Sequence, residues 1–199
     1  MRSRPLRRAV VLLAPLVLLL GGARECAAAQ RPATALPIRE AGPHLGVPRI
    51  SAKAERRSVL ISLDEHRLHV VEGDRIVWSA VIGTGTGDVL EGAGRRWDFS
   101  TPPGRYRVQL KERDPSWFLP DWYFVERGEP IPEPDAPERR LEGALGVAAL
   151  YLTHEIAIHG TDHPELLGDS VSHGCIRMSN ENVLRLYDEL EVGAPVIIH

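Results

Sequence analysis

Cys175 lies sixteen positions after His159 and directly follows Ser172-His173-Gly174, with Ile176-Arg177 after it. A thiol with an imidazole in reach is a nucleophile with its base. The thiolate attacks carbonyl carbon, and a free cysteine, titrating near ~8.5, needs a base or a cation beside it to react at neutral pH. His159 and His173 are the candidate bases. Zinc is the competing chemistry, because His159, His163, His173 and Cys175 are all ligand types. The spacing opposes it: Gly160 and Pro164 break any helical face carrying His159 and His163, and the glutamate of a zinc-peptidase helix is missing. No metal and no cofactor is therefore expected. A lone cysteine is also compatible with an inert, buried apolar role, but two histidines at these positions favour the reactive one.

The chain of 199 residues opens with Arg2, Arg4, Arg7 and Arg8, then the apolar run Ala9–Leu20, then Ala27-Ala28-Ala29. Twelve apolar residues are too few to span a bilayer, which takes about 20, and the pattern is that of a secretory leader. Residues 1–29 are expected to be a signal peptide, with an uncleaved anchor as the alternative. Cys26 leaves with that segment, so Cys175 stays unpaired in an oxidising compartment. Removing Arg2, Arg4, Arg7, Arg8, Arg24 and Glu25 moves the formal net charge from −3 to −7. Such an acidic chain excludes nucleic acid as an expected ligand, and nothing after the leader favours stable membrane insertion.

The elements that must position the thiol come next. Residues 30–57, with Pro32, Pro37, Pro43 and Pro48 and no apolar period, read as a linker, leaving 58–199 as one domain. Val59–Leu63, Leu68–Val71 and Ile76–Ile82 are β-branched runs separated by turn residues, a β-meander pattern. Gly83, Gly85, Gly87, Gly92 and Gly94 punctuate the next stretch. It lacks the Lys-Ser/Thr of a phosphate-binding loop, so a flexible hairpin connection is expected. Thr101-Pro102-Pro103-Gly104 reads as a tight turn. Trp117, Phe118, Trp122, Tyr123 and Phe124 make either a satellite core or a cleft wall, and Glu129–Glu138 reads as an irregular surface excursion. Ala148–Leu152 and Ile156–His159 read as strands, the second delivering His159. A helix is expected from Asn180 to Leu190, capped by Ser179 with Val183, Leu186, Tyr187 and Leu190 on one face. Many strands with one helix predict a mostly β fold, sandwich or barrel.

These residues resemble the L,D-transpeptidase catalytic domain, or YkuD domain. The likeness rests on His159 followed by Ser172-His173-Gly174-Cys175-Ile176-Arg177, on Leu63-Asp64 with Ile82-Gly83-Thr84-Gly85, on Thr101-Pro102-Pro103-Gly104, on Ile158–Thr161 and on Val192–Val196. One departure is Arg140–Gly146, where similar members carry Asn-Pro-Leu-Gly. Wall-binding modules of the kind many members add are also missing from this sequence.

The resemblance implies a YkuD-like β-sandwich or barrel with one or two short helices, and an exported enzyme of the periplasm or cell-wall space. Cys175 would cleave the bond before the terminal D-alanine of a peptidoglycan stem tetrapeptide. It would pass the acyl group to an amine of a second stem or of a wall-anchored protein; hydrolysis of the same bond and non-catalytic wall binding are the alternatives. His159 would be the general base, its other ring nitrogen oriented by a backbone carbonyl near Gly160. Gly174 and Cys175 N–H groups would hold the oxyanion, in the loop that Ser172 opens. Strand alternation would put His173 on the face of Cys175, shaping the pocket or donating a hydrogen bond. Arg177 would either clamp a stem carboxylate or sit in a surface salt bridge.

Overall fold

The computed structural model describes residues 57–199; the expected leader and all of the linker before Arg57 lie outside the described residues. The three β-branched runs form β1 (Arg57–Ser62), β2 (Arg67–Glu72) and β3 (Arg75–Val81), an antiparallel meander. Alternation along it buries Val59, Ile61, Leu68, Val70 and Ala80. The glycine-punctuated stretch holds the two-residue β4 (Thr84–Gly85) and the hairpin of β5 (Val89–Gly92) and β6 (Arg95–Asp98). Ala93 and Gly94 turn that hairpin with positive φ of 48° and 72°, the geometry that a two-residue hairpin loop requires. Then follow β7 (Gly104–Arg107), β8 (Leu110–Arg113), β9 (Ser116–Phe118), α1 (Asp121–Arg127), β10 (Arg140–Glu142), β11 (Ala148–Tyr151) and β12 (Ala157–Thr161). β13 (Ser170–Ser172), β14 (Ile176–Ser179), α2 (Asn180–Glu189) and β15 (Pro195–Ile198) complete the described residues.

Two sheets carry the fold, in the orders β3-β2-β1-β15-β7 and β14-β12-β11-β8. Val59, Ile61, Val70, Val196 and Ile198 of the first join Ala148, Leu150, Ile158, Ile176 and Met178 of the second, with Val183, Leu186 and Leu190 beside them, in one buried cluster. Each fully buried aliphatic side chain contributes roughly 1.5–3 kcal/mol. The helix α2 forms as the spacing predicts: the Ser179 hydroxyl accepts from Asn182 N–H at 3.2 Å, and Val183 and Leu186 are buried. The mostly β fold with two short helices is the expected one.

The aromatic segment differs from expectation in holding a helix. Pro120 opens α1 and Gly128, left-handed at φ 67°, closes it. Seven residues with aromatics at successive positions show no helical apolar period, so the sequence pattern hides it. The excursion after α1 is irregular and exposed, yet it is pinned rather than free. Arg139, 4% exposed, donates to the carbonyls of Pro132, Glu133 and Leu119 and to the Asp121 carboxylate.

Candidate active site

His159 sits in the middle of β12, a strand buried along its whole length. Parallel pairing sets it opposite Arg177 and sets Ile158 opposite Ile176, the residue after the thiol. Both His159 and Cys175 line one cleft of about 910 Å³. Gly160 O receives a hydrogen bond from His159 Nδ1 at 2.7 Å, which assigns the Nδ1–H tautomer and leaves Nε2 as the basic nitrogen. A Cβ on Gly160 would run into Asn180 Oδ1, so a side chain there would have to displace that carboxamide. That carboxamide, in the first turn of α2, accepts from Val147 N–H at 3.3 Å and donates to Asp162 at 3.1 Å. The helix is thereby seated on the strand that carries the imidazole.

Burial drives His159 down to about 4, with the Arg177 charge pushing the same way and the carbonyls of Gly160 and Leu145 opposing. Cys175 keeps part of its surface open, and its thiol contacts the Glu155 carbonyl at 3.4 Å. Burial pushes this thiol up, while a backbone hydrogen bond from Ala157 and the Arg177 charge pull it back. At neutral pH the resting pair is thus a neutral imidazole and a neutral thiol. The proton has to move during attack, and no preformed thiolate waits for substrate.

The thiol loop is held from several directions. Ser172 Oγ donates to Cys175 O at 2.6 Å and accepts from Gly174 N–H at 3.1 Å. This revises the expectation that Gly174 N–H serves an oxyanion: it is spent on Ser172, and the Cys175 N–H is the remaining donor of the expected pair. Gly174 has φ 118°, a conformation that suits glycine, and its carbonyl accepts from Thr101 Oγ1 at 2.9 Å. The same hydroxyl accepts from Gly85 N–H at 2.8 Å. A Cβ on Gly85 would overlap Phe99 O, so the backbone can approach this closely only at glycine. β4 pairs with β13, Thr86 N–H reaches Ser172 O at 2.9 Å, and Gly83 exchanges two backbone hydrogen bonds of 2.9 Å with Arg177. The glycine stretch is therefore a brace on both flanks of the thiol as well as a hairpin connection.

His173 lines the same cleft as Cys175, though by a bend of the chain at residues 173 and 174 and not by strand alternation, since β13 ends at Ser172. Its ring stacks on Trp122 at 4.2 Å and 12°, meets Phe99 edge-on at 4.4 Å, and pairs through Nε2 with Glu126 at 2.9 Å. Trp117, Phe118 and Trp122 line the cleft, whereas Phe124 is buried, so the aromatic segment is both wall and core. Asp162 and His163 turn away at the end of β12, with His163 pairing to Glu165 at 3.1 Å. Among the described residues no three His, Cys, Asp or Glu side chains gather as a metal site. In Arg140–Gly146, Ala144 and Leu145 border the cleft. Thr101, Glu126 and Asn180 were not singled out as site residues from sequence. Each acts across a long stretch of chain, and no local motif signals such contacts.

The model of the YkuD L,D-transpeptidase catalytic domain family matches residues 56–198. This chain belongs to that family. Among its L,D-transpeptidase relatives, the Escherichia coli protein named Probable L,D-transpeptidase YbiS is 35% identical over 95 residues, covering 45% of this chain and 30% of the relative. The E. coli Probable L,D-transpeptidase ErfK/SrfK is 28% identical over 168 residues, covering 81% of this chain and 50% of the relative. The chain thus matches half or less of the length of these two relatives. The crystal structure of the L,D-transpeptidase of Xylanimonas cellulosilytica superposes with a TM-score of 0.54 at 25% identity, covering 73% of this chain and 61% of that one. No helix among the described residues is long and apolar enough to cross a membrane.

Proposed function

We propose that this chain is an exported L,D-transpeptidase acting on peptidoglycan stem peptides in the periplasm or cell-wall space. The observation that carries the reading is the pairing of a neutral buried imidazole, its Nδ1 fixed on Gly160 O, with the sole described thiol in one cleft. Family membership supplies the reaction type.

Cys175 attacks the carbonyl between the third and fourth residues of a tetrapeptide while its proton passes to His159 Nε2. In this reading the Cys175 N–H, the remaining donor of the expected pair, stabilises the developing oxyanion. Collapse breaks the amide, the imidazolium returns its proton to the departing amine of D-alanine, and a thioester remains. An amine of a second stem, or of a wall-anchored protein, loses a proton to His159 as it attacks, and the thiol is restored. The thioester conserves enough of the cleaved bond's free energy to form the new amide without ATP, which suits an exported enzyme.

The test is intact-protein and product mass after incubation with a purified disaccharide-tetrapeptide. Wild type is expected to gain an acyl adduct lacking D-alanine and to yield cross-linked dimers, and Cys175→Ala to do neither. Tripeptide without dimers would assign a carboxypeptidase, and no adduct with unchanged peptide would sink the reading.

A further inference from the structure

The cleft holds two imidazoles in unlike surroundings. His159 is 4% exposed, is tied at Nδ1 to Gly160 O and pairs with Arg177 across β12 and β14. Burial and the Arg177 charge both work against a proton resting on it, so it suits a proton in transit. His173 lies two residues before the thiol, at most about 7 Å of chain away, and lines the same cleft. Its side chain is 31% exposed, and its Nε2 meets Glu126 Oε1 at 2.9 Å. A carboxylate only accepts, so Nε2 carries the hydrogen and the neutral ring keeps its lone pair at Nδ1. Among the described residues Nδ1 has no hydrogen-bond partner. The ring plane is held by the stack on Trp122 and the edge contact with Phe99, and the second oxygen of Glu126 lies 3.6 Å from the Arg127 guanidinium.

Aminolysis of a thioester needs two deprotonations, and His159 performs one. An alkylamine acceptor arrives as its ammonium, which titrates at about 10.4 when unperturbed, and only the neutral amine has a lone pair for attack. The proton lost during attack goes to His159; the one lost before it needs a second base.

We propose that His173, held by Glu126, is the base that takes the first proton from the acceptor's ammonium, which makes Glu126 a positioning residue for the transfer step. The assignment rests on the transpeptidase reading above and concerns its second half alone. His173 Nδ1 receives one proton from R–NH3+, and the Glu126 carboxylate stabilises the imidazolium as it forms. The amine then attacks the thioester carbonyl, its second proton passes to His159 Nε2, the C–S bond breaks, and His159 hands that proton to the Cys175 sulfur. The proton on His173 leaves to water by the exposed side of the ring. Charge also directs the traffic: an ammonium is drawn to the Glu126 carboxylate and repelled by Arg177 beside His159.

The experiment acylates the full-chain wild type, Glu126→Gln and Glu126→Asp with a purified disaccharide-tetrapeptide and follows transfer by mass. Two acceptor stems are offered, alike but for one side chain. One ends in the alkylammonium of lysine; the other ends in the γ-hydrazide of glutamate, whose terminal nitrogen stands equally far from Cα and is neutral at pH 7. Transfer is counted per thioester formed, so the amount of folded protein cancels. Glu126→Gln is expected to slow transfer to the lysine stem by about 10- to 100-fold and to change transfer to the hydrazide little, with Glu126→Asp keeping part of the lysine activity. An equal fall for both acceptors would assign Glu126 a structural role and overturn the proposal, as would no change for either or a Glu126→Gln protein that forms no thioester. Absence of a thioester in wild type removes the transpeptidase reading itself. A wild-type thioester that only hydrolyses removes the acceptor base and assigns a carboxypeptidase.

Discussion

A buried imidazole makes the stability of this protein depend on pH in a defined direction. His159 takes up a proton near 6.5 in the unfolded chain and near 4 in the folded one. Its contribution is complete above about pH 6.5 and shrinks as pH falls toward 4, by about 3 kcal/mol across that window. The thermal midpoint of wild type is expected to fall more steeply between pH 6.5 and 4 than that of His159→Gln, and parallel slopes would contradict the burial argument. Residue types and spacing were enough to single out Cys175 and His159 from sequence. Their neutral resting state was not legible there, because it comes from desolvation by β12, β14 and the surrounding core.

At the scale of elements, the thiol loop is a product of three chain segments that meet on one hydroxyl. Thr101 Oγ1 joins Gly85 N–H to Gly174 O, and Thr101→Val leaves both without that partner, at about 1–3 kcal/mol for each group left buried. The expected outcome is a lower kcat with KM little changed and a reduced melting temperature; unaltered kcat would show that the loop holds its shape without the brace. The strands of the meander and α2 were readable because their apolar residues repeat at periods of 2 and 3.6. The braces were not, since Gly85, Thr101 and Gly174 are far apart in sequence and the glycine stretch carries only a turn signal. α1 escaped for a related reason: Trp122, Tyr123 and Phe124 run consecutively, and the contact of its Glu126 with His173 spans 47 positions.

For the molecule as a whole, stability and chemistry are separable. Ile198 on β15 is 2% exposed within the core shared by both sheets and is not among the residues bordering the cleft. Ile198→Ala is expected to lower unfolding free energy by about 2–5 kcal/mol while leaving kcat per folded molecule near wild type; denaturant titration beside active-site counting checks both. β15 lies between β1 and β7, pairing in parallel with a strand far earlier in the sequence. Until it docks, β7 has no neighbour in its sheet and β1 is left with an open edge, and closures over such long sequence separations are slow. Timing follows from this topology. A newly made chain carries its cysteine through an interval as an ordinary solvated thiol, open to sulfenic acid and further oxidation, whereas in the folded chain burial raises the thiol's pKa and lowers its share of reactive thiolate.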